Sequence, residues 1–357
     1  MKRKAVLGIM LTLLFIGILS LTFDIQPVEA PYPIIYIRAD GSIDPATANI
    51  TSSDNVTYTF TDDINASIVV EKNNTVVDGA GYTLQGNRTG TGIDLHNRNN
   101  VTLKNIEVTN FSYGIYLNSS SYNTITSNIA SSNKVDGIRL YYSGNNTVTA
   151  NIASSNFDGI YLNSSSNNTL AGNTVSSNNF DGIYLGHSSN NNTVIGNTAS
   201  NNEYGIRLYN SSNNVLFHNN LISNAVQARV STGYVNIWDD GYPSGGNYWS
   251  DHNPPDIYSG SYQNETGRDK IGDIPYVIDE NNTDRYPLIY PYGRVSSADI
   301  NDDGTVDIYD AIILAGKFGS EPGHLGWHPA ADLNQDGIID IFDAIIFAWW
   351  FWRPIIL

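Results

Sequence analysis

The chain has no cysteine among its 357 residues, so neither a disulfide framework nor thiolate chemistry enters any reading of it. Basic residues are also few. Eighteen Lys and Arg against 35 Asp and Glu leave a net charge of -17, which argues against a nucleic-acid partner and favours a cation or a neutral glycan. Methionine is confined to Met1 and Met10. From Gly92 to Asn224 there is no helical stripe either, because apolar residues fall two apart, the period of a strand with one buried face.

That stretch is a repeat. Gly92, Gly114, Gly137, Gly159, Gly182 and Gly205 open six similar units at steps of 22, 23, 22, 23 and 23 residues, and each reads G-I-x-L followed by two short runs entered through Asn. A period this steady means a solenoid of stacked supersecondary units. Leucine-rich repeats share the period but need an L-x-x-L-x-L frame that is missing here. The expected fold is therefore all-β, a right-handed parallel β-helix with three strands per coil. Ile115, Ile138, Ile160, Ile183 and Ile206, with Leu117, Leu140, Leu162, Leu185 and Leu208, should form inward columns. Asn123, Asn146, Asn168, Asn192 and Asn214 form one polar ladder, and Asn128, Asn151, Asn173, Asn197 and Asn219 another; asparagine tolerates left-handed turns and bonds to its copy one coil up.

Two outward positions carry chemistry. Asp136, Asp158 and Asp181 precede the glycine in three consecutive coils, flanked by Tyr113 and Tyr204. Carboxylates stacked about 5 Å apart repel, so they should be well solvated or share a cation. A plain Asp-Gly turn is the structural alternative, ahead of a calcium or glycan site and of catalysis. The sequence shows no Arg or Lys registered beside them as a lyase would need, and no carboxylate pair of assignable separation as a glycoside hydrolase would need. Two residues after the glycine stand Asp94, Tyr116, Arg139, Tyr161, Tyr184 and Arg207. Tyr116, Arg139, Tyr161, Tyr184 and Arg207 are candidate ligand-binding residues for a sugar or a protein, against the simpler reading of cross-strand packing.

The division expected is a signal peptide at 1–30, an N-terminal cap with the first coils at 31–91, regular coils at 92–235, a C-terminal cap at 236–292 and a further module at 293–357. Lys2, Arg3 and Lys4 precede an apolar run from Ala5 to about Phe23 and the ending Val28-Glu29-Ala30, which reads as a secretory signal with an uncleaved membrane anchor as the alternative. The product is then secreted or held at the cell surface. About fifteen N-x-[ST] sequons would permit glycosylation of an exported chain, although Asn- and Ser-rich turns produce such matches by chance.

The segment from Tyr36 to Gln85 and the repeats, joined by Gly246-Asn247-Tyr248-Trp249-Ser250-Asp251, Gly267 to Tyr276 and Asp284-Arg285-Tyr286-Pro287-Leu288, resemble the parallel β-helix family named for NosD, especially its exported archaeal members. The resemblance implies a link to copper, which the residues do not support. Copper favours Cys, Met and clustered His, whereas His96, His187, His218, His252, His324 and His328 are scattered. Tyr248, Trp249, Asp251, Asp269 and Asp273 could line calcium loops, but folding back over the last coil is the simpler role.

The last segment is duplicated at an offset of 33 residues. Asp299, Asn301, Asp303, Thr305, Asp307 and Asp310 recur as Asp332, Asn334, Asp336, Ile338, Asp340 and Asp343, a D-x-N-x-D-G loop with a carboxylate at position 12. Oxygen at positions 1, 3, 5 and 12, a backbone carbonyl at 7 (Thr305, Ile338) and a turn glycine at 6 suit calcium, one ion per loop, with Asp307 and Asp340 acting through water. Each loop runs into a short helix, the first ended by Gly319. Asp at position 12 and the lack of a preceding helix resemble the dockerin module, which in cellulosomes docks onto cohesin. A cohesin-like or other cell-surface protein is the partner this implies. Ile308, Tyr309, Ile341 and Phe342, at loop positions 10 and 11, either read a more apolar partner or pack inside. The Trp349 to Leu357 tail, interrupted by Pro354, is too short to span a bilayer and packs, docks or lies at an interface. The reading reached is an exported, non-catalytic binding or assembly protein, with a polysaccharide lyase or hydrolase and a copper accessory as alternatives.

Overall fold

The computed structural model describes residues 32–293 and, beyond them, 298, 300, 306–321, 324, 326–328, 331–333 and 337–351. The segment expected to be a signal peptide, 1–30, lies outside the described residues. Each repeat forms one coil of a parallel β-helix. G-I-x-L becomes a six-residue strand, as in Tyr113–Asn118, Asp136–Tyr141, Asp158–Asn163, Asp181–Gly186 and Tyr204–Tyr209. Two short strands complete the coil, for example Thr124–Thr126 and Ile129–Ser131. Equivalent strands stack into sheets of ten, nine and eight strands. The register is in step, so Ile115 meets Ile138, then Ile160, Ile183 and Ile206. The long-strand sheet starts before the regular repeats, with Ile34–Ile37 parallel to Ser67–Val70, and its open edge is covered by the antiparallel strand Ile43–Asp44.

The Ile and Leu columns are buried as expected, and Ile125, Val148, Leu170, Val194 and Leu216 supply a third wall. Burying each such side chain contributes about 1.5–3 kcal/mol. The repeated glycine is required by space. Its missing Cβ would point inward: at Gly182 it would meet the carbonyl oxygen of Gly205 at 2.6 Å and Nδ2 of Asn202 at 2.8 Å.

The asparagine ladders satisfy the backbone at the coil corners. Nδ2 of Asn151 donates to Oδ1 of Asn173 at 3.0 Å and to the carbonyl of Ile125 at 2.8 Å, and the N–H of Asn151 donates to the same Oδ1 at 3.0 Å. Buried backbone groups are thereby paired without water. The ladder residues are not themselves left-handed, contrary to expectation. That conformation belongs to the residue before each one, such as Asn145 (φ 59), Asn167 (φ 60) and Asn191 (φ 57), which turns the chain so that the next side chain points inward. Two further ladders were not anticipated. Asn133, Asn156, Asn178, Asn202 and Asn224 form one, and Ser120, Ser143, Ser165, Ser189 and Ser211 the other.

The C-terminal segment has two helices, α1 (Ile308–Lys317) and α2 (Ile341–Phe351), over a small core of Ala298, Ile300, Leu314, Ala331, Leu333, Ile339 and Phe347. Gly319 (φ 79) follows α1, where its N–H donates to the carbonyl of Ile339 at 2.7 Å.

Candidate functional site

Asp136, Asp158 and Asp181 are the first residues of three consecutive long strands, not turn residues ahead of them. They are not solvated. They are 1%, 5% and 0% exposed. The arginines that the sequence did not register beside them are present. Nη1 of Arg139 donates to Asp136 Oδ2 at 2.9 Å, while Arg207, from the next coil, donates through Nε and Nη2 to both oxygens of Asp181. The strand period hides these contacts, because a residue two after one glycine sits against the residue before a glycine in its own coil or the one below. Asp158 has no arginine of its own. Its Oδ1 accepts the N–H of Asp181 at 2.9 Å. Burial pushes the Asp158 carboxyl up to about 7, with the Asp181 and Asp136 charges adding to the effect and Arg207 opposing it. Burial likewise raises Asp136 to about 6 against the pull of Arg139, and raises Asp181 against Arg207.

The outward column is a stack. The Arg139 guanidinium lies 4.6 Å from the Tyr161 ring, Tyr161 and Tyr184 lie 4.7 Å apart with 20° between planes, and the Arg207 guanidinium lies 4.6 Å from Tyr184. Beyond its ends, Arg139 also meets Tyr113 at 4.9 Å and Tyr116 at 5.9 Å, and Arg207 meets Phe180 at 4.7 Å. The rings therefore spend their faces on one another and on guanidinium groups, which corrects the expectation of a flat surface open to sugar stacking. Tyr184 is 5% exposed, its ring folded over Gly186, where a Cβ would come within 2.4 Å of it. What remains toward solvent is ring edges and guanidinium hydrogens. Nε and Nη2 of Arg139 and Nη1 of Arg207 have no hydrogen-bond partner among the described residues.

The cap explains its own sequence motifs. The first ladder continues through Asn236 to Asn282, and the second through Asn247 to Asp284. Asp284 Oδ2 accepts the N–H of Asn247 at 2.7 Å and Nε1 of Trp249 at 2.8 Å; burial raises its carboxyl to about 7. Gly246 must lack a side chain because that carboxylate presses on it. Arg285 pairs with Asp239, Trp249 stacks on Tyr276 at 3.9 Å, and Asp269 and Asp273 bind backbone N–H groups of Ile271, Ile257 and Tyr258. Tyr248 lies in the strand that closes the eight-stranded sheet, and Asp251 accepts the Tyr276 hydroxyl.

In the C-terminal segment Asp299, Asn301, Asp303, Thr305, Asn334 and Asp336 lie outside the described residues. The described members repeat one arrangement. Asp310 accepts the N–H groups of Ile300 and Asp307 at 2.7 and 2.9 Å, and Asp343 accepts those of Leu333 and Asp340 at 2.6 and 2.7 Å. Asp332 Oδ2 accepts the Gly337 N–H at 3.0 Å, while its Oδ1 is buried with no hydrogen-bond partner among the described residues. The loop-position-10 and -11 residues do not pack inside. Ile308, Tyr309 and Ile312 are exposed, and so are their counterparts Ile341, Phe342 and Ile345.

No match was found among curated proteins. Among solved structures, a double mutant of the periplasmic alginate epimerase AlgG is similar at 24% identity over 50% of this chain and 47% of that one, with a TM-score of 0.45. The chain thus spans about half the length of that protein. The A-module of the Azotobacter vinelandii mannuronan C-5 epimerase AlgE6 is similar at 18% identity over 61% and 74%, TM-score 0.43, and the Dettilon tailspike protein at 15% over 54% and 44%, TM-score 0.41. The family described as "Periplasmic copper-binding protein (NosD)" matches residues 46–254, which is more than half of the chain. The chain is a member of the NosD family of parallel β-helix proteins.

Proposed function

We propose that this is an exported, non-catalytic β-helix protein joined to a larger assembly through a calcium-stabilised, dockerin-like C-terminal module. The observation that carries the reading is the duplicated apolar set Ile308, Tyr309, Ile312 and Ile341, Phe342, Ile345, exposed at the starts of both helices. Exposed apolar side chains grouped in this way mark an interaction site. A cohesin-like or other cell-surface protein fits them. Calcium fits the loops, since the unpartnered Asp332 Oδ1 is a buried oxygen that a hard cation would satisfy, and the ion would supply charge neutralisation there and no chemistry. Copper does not fit. There is no cysteine, the two methionines lie outside the described residues, and His218 and His252 each contact a backbone carbonyl through Nε2.

Export rests on the N-terminal pattern of residues 1–30. Among the described residues no helix is long and apolar enough to cross a membrane. The test is retention of cohesin-type modules and cell-surface proteins on the immobilised full chain, with Ile312→Asp, Ile345→Asp and the double variant alongside. Each single variant should keep its partner, because the other copy of the surface serves, and the double variant should lose it. Retention by the double variant would sink the proposal.

A second reading places a polysaccharide on the outer face of the long-strand sheet, where the unpartnered guanidinium hydrogens of Arg139 and Arg207 face solvent beside ring edges. Arg139→Gln should weaken retention on a polysaccharide gel. The lyase or hydrolase alternative would need the aspartates to reach substrate, and all three are buried, Asp136 and Asp181 in ion pairs. Reducing ends or unsaturated products released from a polysaccharide panel would restore it.

A further inference from the structure

We infer that one corner of the β-helix is a row of N-glycan acceptor sites, distinguished from the sequons of the serine ladder by which side of the wall their hydroxyl occupies. Asn145-Asn146-Thr147, Asn167-Asn168-Thr169 and Asn191-Asn192-Thr193 are three N-x-T sequons on consecutive coils. Within each, the residues divide the work. The middle asparagine belongs to a buried ladder, whereas Asn145, Asn167 and Asn191 are exposed at left-handed corners. The side-chain amides of these three make no hydrogen bond among the described residues, so Nδ2 is free. Thr147, Thr169 and Thr193 are mutual register partners on the outer face of the nine-stranded sheet. The hydroxyl that defines a sequon thus stands on the outer face, two residues after its exposed asparagine.

A second set of sequons opens the same connection between strands and lacks this arrangement. Asn118 and Asn163 each have their third-position serine, Ser120 and Ser165, inside the wall at 1% and 0% exposure. Those hydroxyls donate to the carbonyls of Leu95 and Asn163. In the folded chain they are unavailable. Asn100 aligns with the first row, but its amide donates to Oδ1 of Asn74 at 2.9 Å.

The donor is a polyprenyl-pyrophosphate-linked oligosaccharide. Nδ2 attacks the anomeric carbon and the C–N bond forms; the anomeric C–O bond to the pyrophosphate breaks, the lipid pyrophosphate leaves with the electron pair, and the amide gives up one proton. Adjacent coils lie about 4.8 Å apart, closer than two hydrated sugars can stand side by side. Asn145 and Asn191 can therefore be modified together, or Asn167 alone.

The test uses the folded full chain with a purified oligosaccharyltransferase and its lipid-linked donor, read by intact mass and by glycopeptide mass spectrometry. Modification should appear at Asn145, Asn167 and Asn191 and stay absent from Asn118 and Asn163 until the chain is unfolded. N167Q should raise the doubly modified fraction, and Thr147→Val should abolish modification at Asn145 alone. Equal modification of the two rows in the folded chain, sugars on Asn167 and Asn191 of one molecule, or no modification of the corner while an Asn-Asn-Thr peptide is modified by the same enzyme would each overturn the inference.

Discussion

The backbone N–H of Asn236 donates to Oδ1 of Asn282 at 2.9 Å, although 46 residues separate them. The cap hairpin holding Asn282 thus fills the place that a further coil would have filled. Trp238 Nε1 uses the same oxygen at 3.3 Å. Asn282→Ala leaves both donors buried and unpaired and should lower unfolding free energy by about 3 kcal/mol, seen as a shifted urea midpoint. An unshifted midpoint would mean that the cap is not held by the ladder.

Arg207→Gln should be among the more damaging single changes on the outer face. It strips Asp181, a fully buried carboxylate, of its ion pair, a loss of about 3–5 kcal/mol by denaturant unfolding. Adding Asp181→Asn should recover much of the loss, because the buried charge is then gone.

The aspartate array makes stability pH-dependent in a stated direction. A carboxyl whose folded pKa is raised is protonated more readily in the folded chain, so its contribution is complete below the ordinary carboxylate range. That contribution falls as pH rises through the folded value, about 7 for Asp158. The melting temperature should decline between the ordinary carboxylate value, about 4, and neutrality, then level off. Asp158→Asn keeps an acceptor for the Asp181 N–H and should flatten part of that decline in a thermal series across pH.

Two glycines should respond oppositely to substitution. Gly182→Ala drives a Cβ against the Gly205 carbonyl and should cost about 1–3 kcal/mol. Gly172→Asn should be nearly neutral, since a Cβ there meets nothing within 4 Å and the equivalent corners hold Ser127, Ala150 and His218 at similar positive φ.

Calorimetric titration of the metal-free full chain should find two calcium ions per chain. Asp332→Ala should leave one, because it removes the ligand of a single loop. Two ions bound to the variant would reject the loop assignment.

Period and polarity made the β-helix readable, since every coil repeats one solution and the Ile and Leu columns follow from alternation. Contacts between coils were harder to see. Arg139 and Asp136 stand three apart in one strand, but Arg207 and Asp181 are 26 residues apart and meet only once strands are set in register. The third ladder had a visible signal in the Ser-Asn pairs ending at Asn133, Asn156 and Asn178, and it passed as turn composition. Ring orientation at Tyr161 and Tyr184 has no sequence signature, because a tyrosine column serves equally for stacking along the sheet or for facing a ligand.

The ladders also bear on how such a chain can change length. Every rung, from the serine at one corner to the three asparagines at the others, bonds to its counterpart in the adjacent coil and to no more distant coil. Excising residues 147–168, or copying them, would rejoin all four ladders and all three sheets in a single event. Whole-coil gain or loss is therefore the least disruptive large mutation open to this gene.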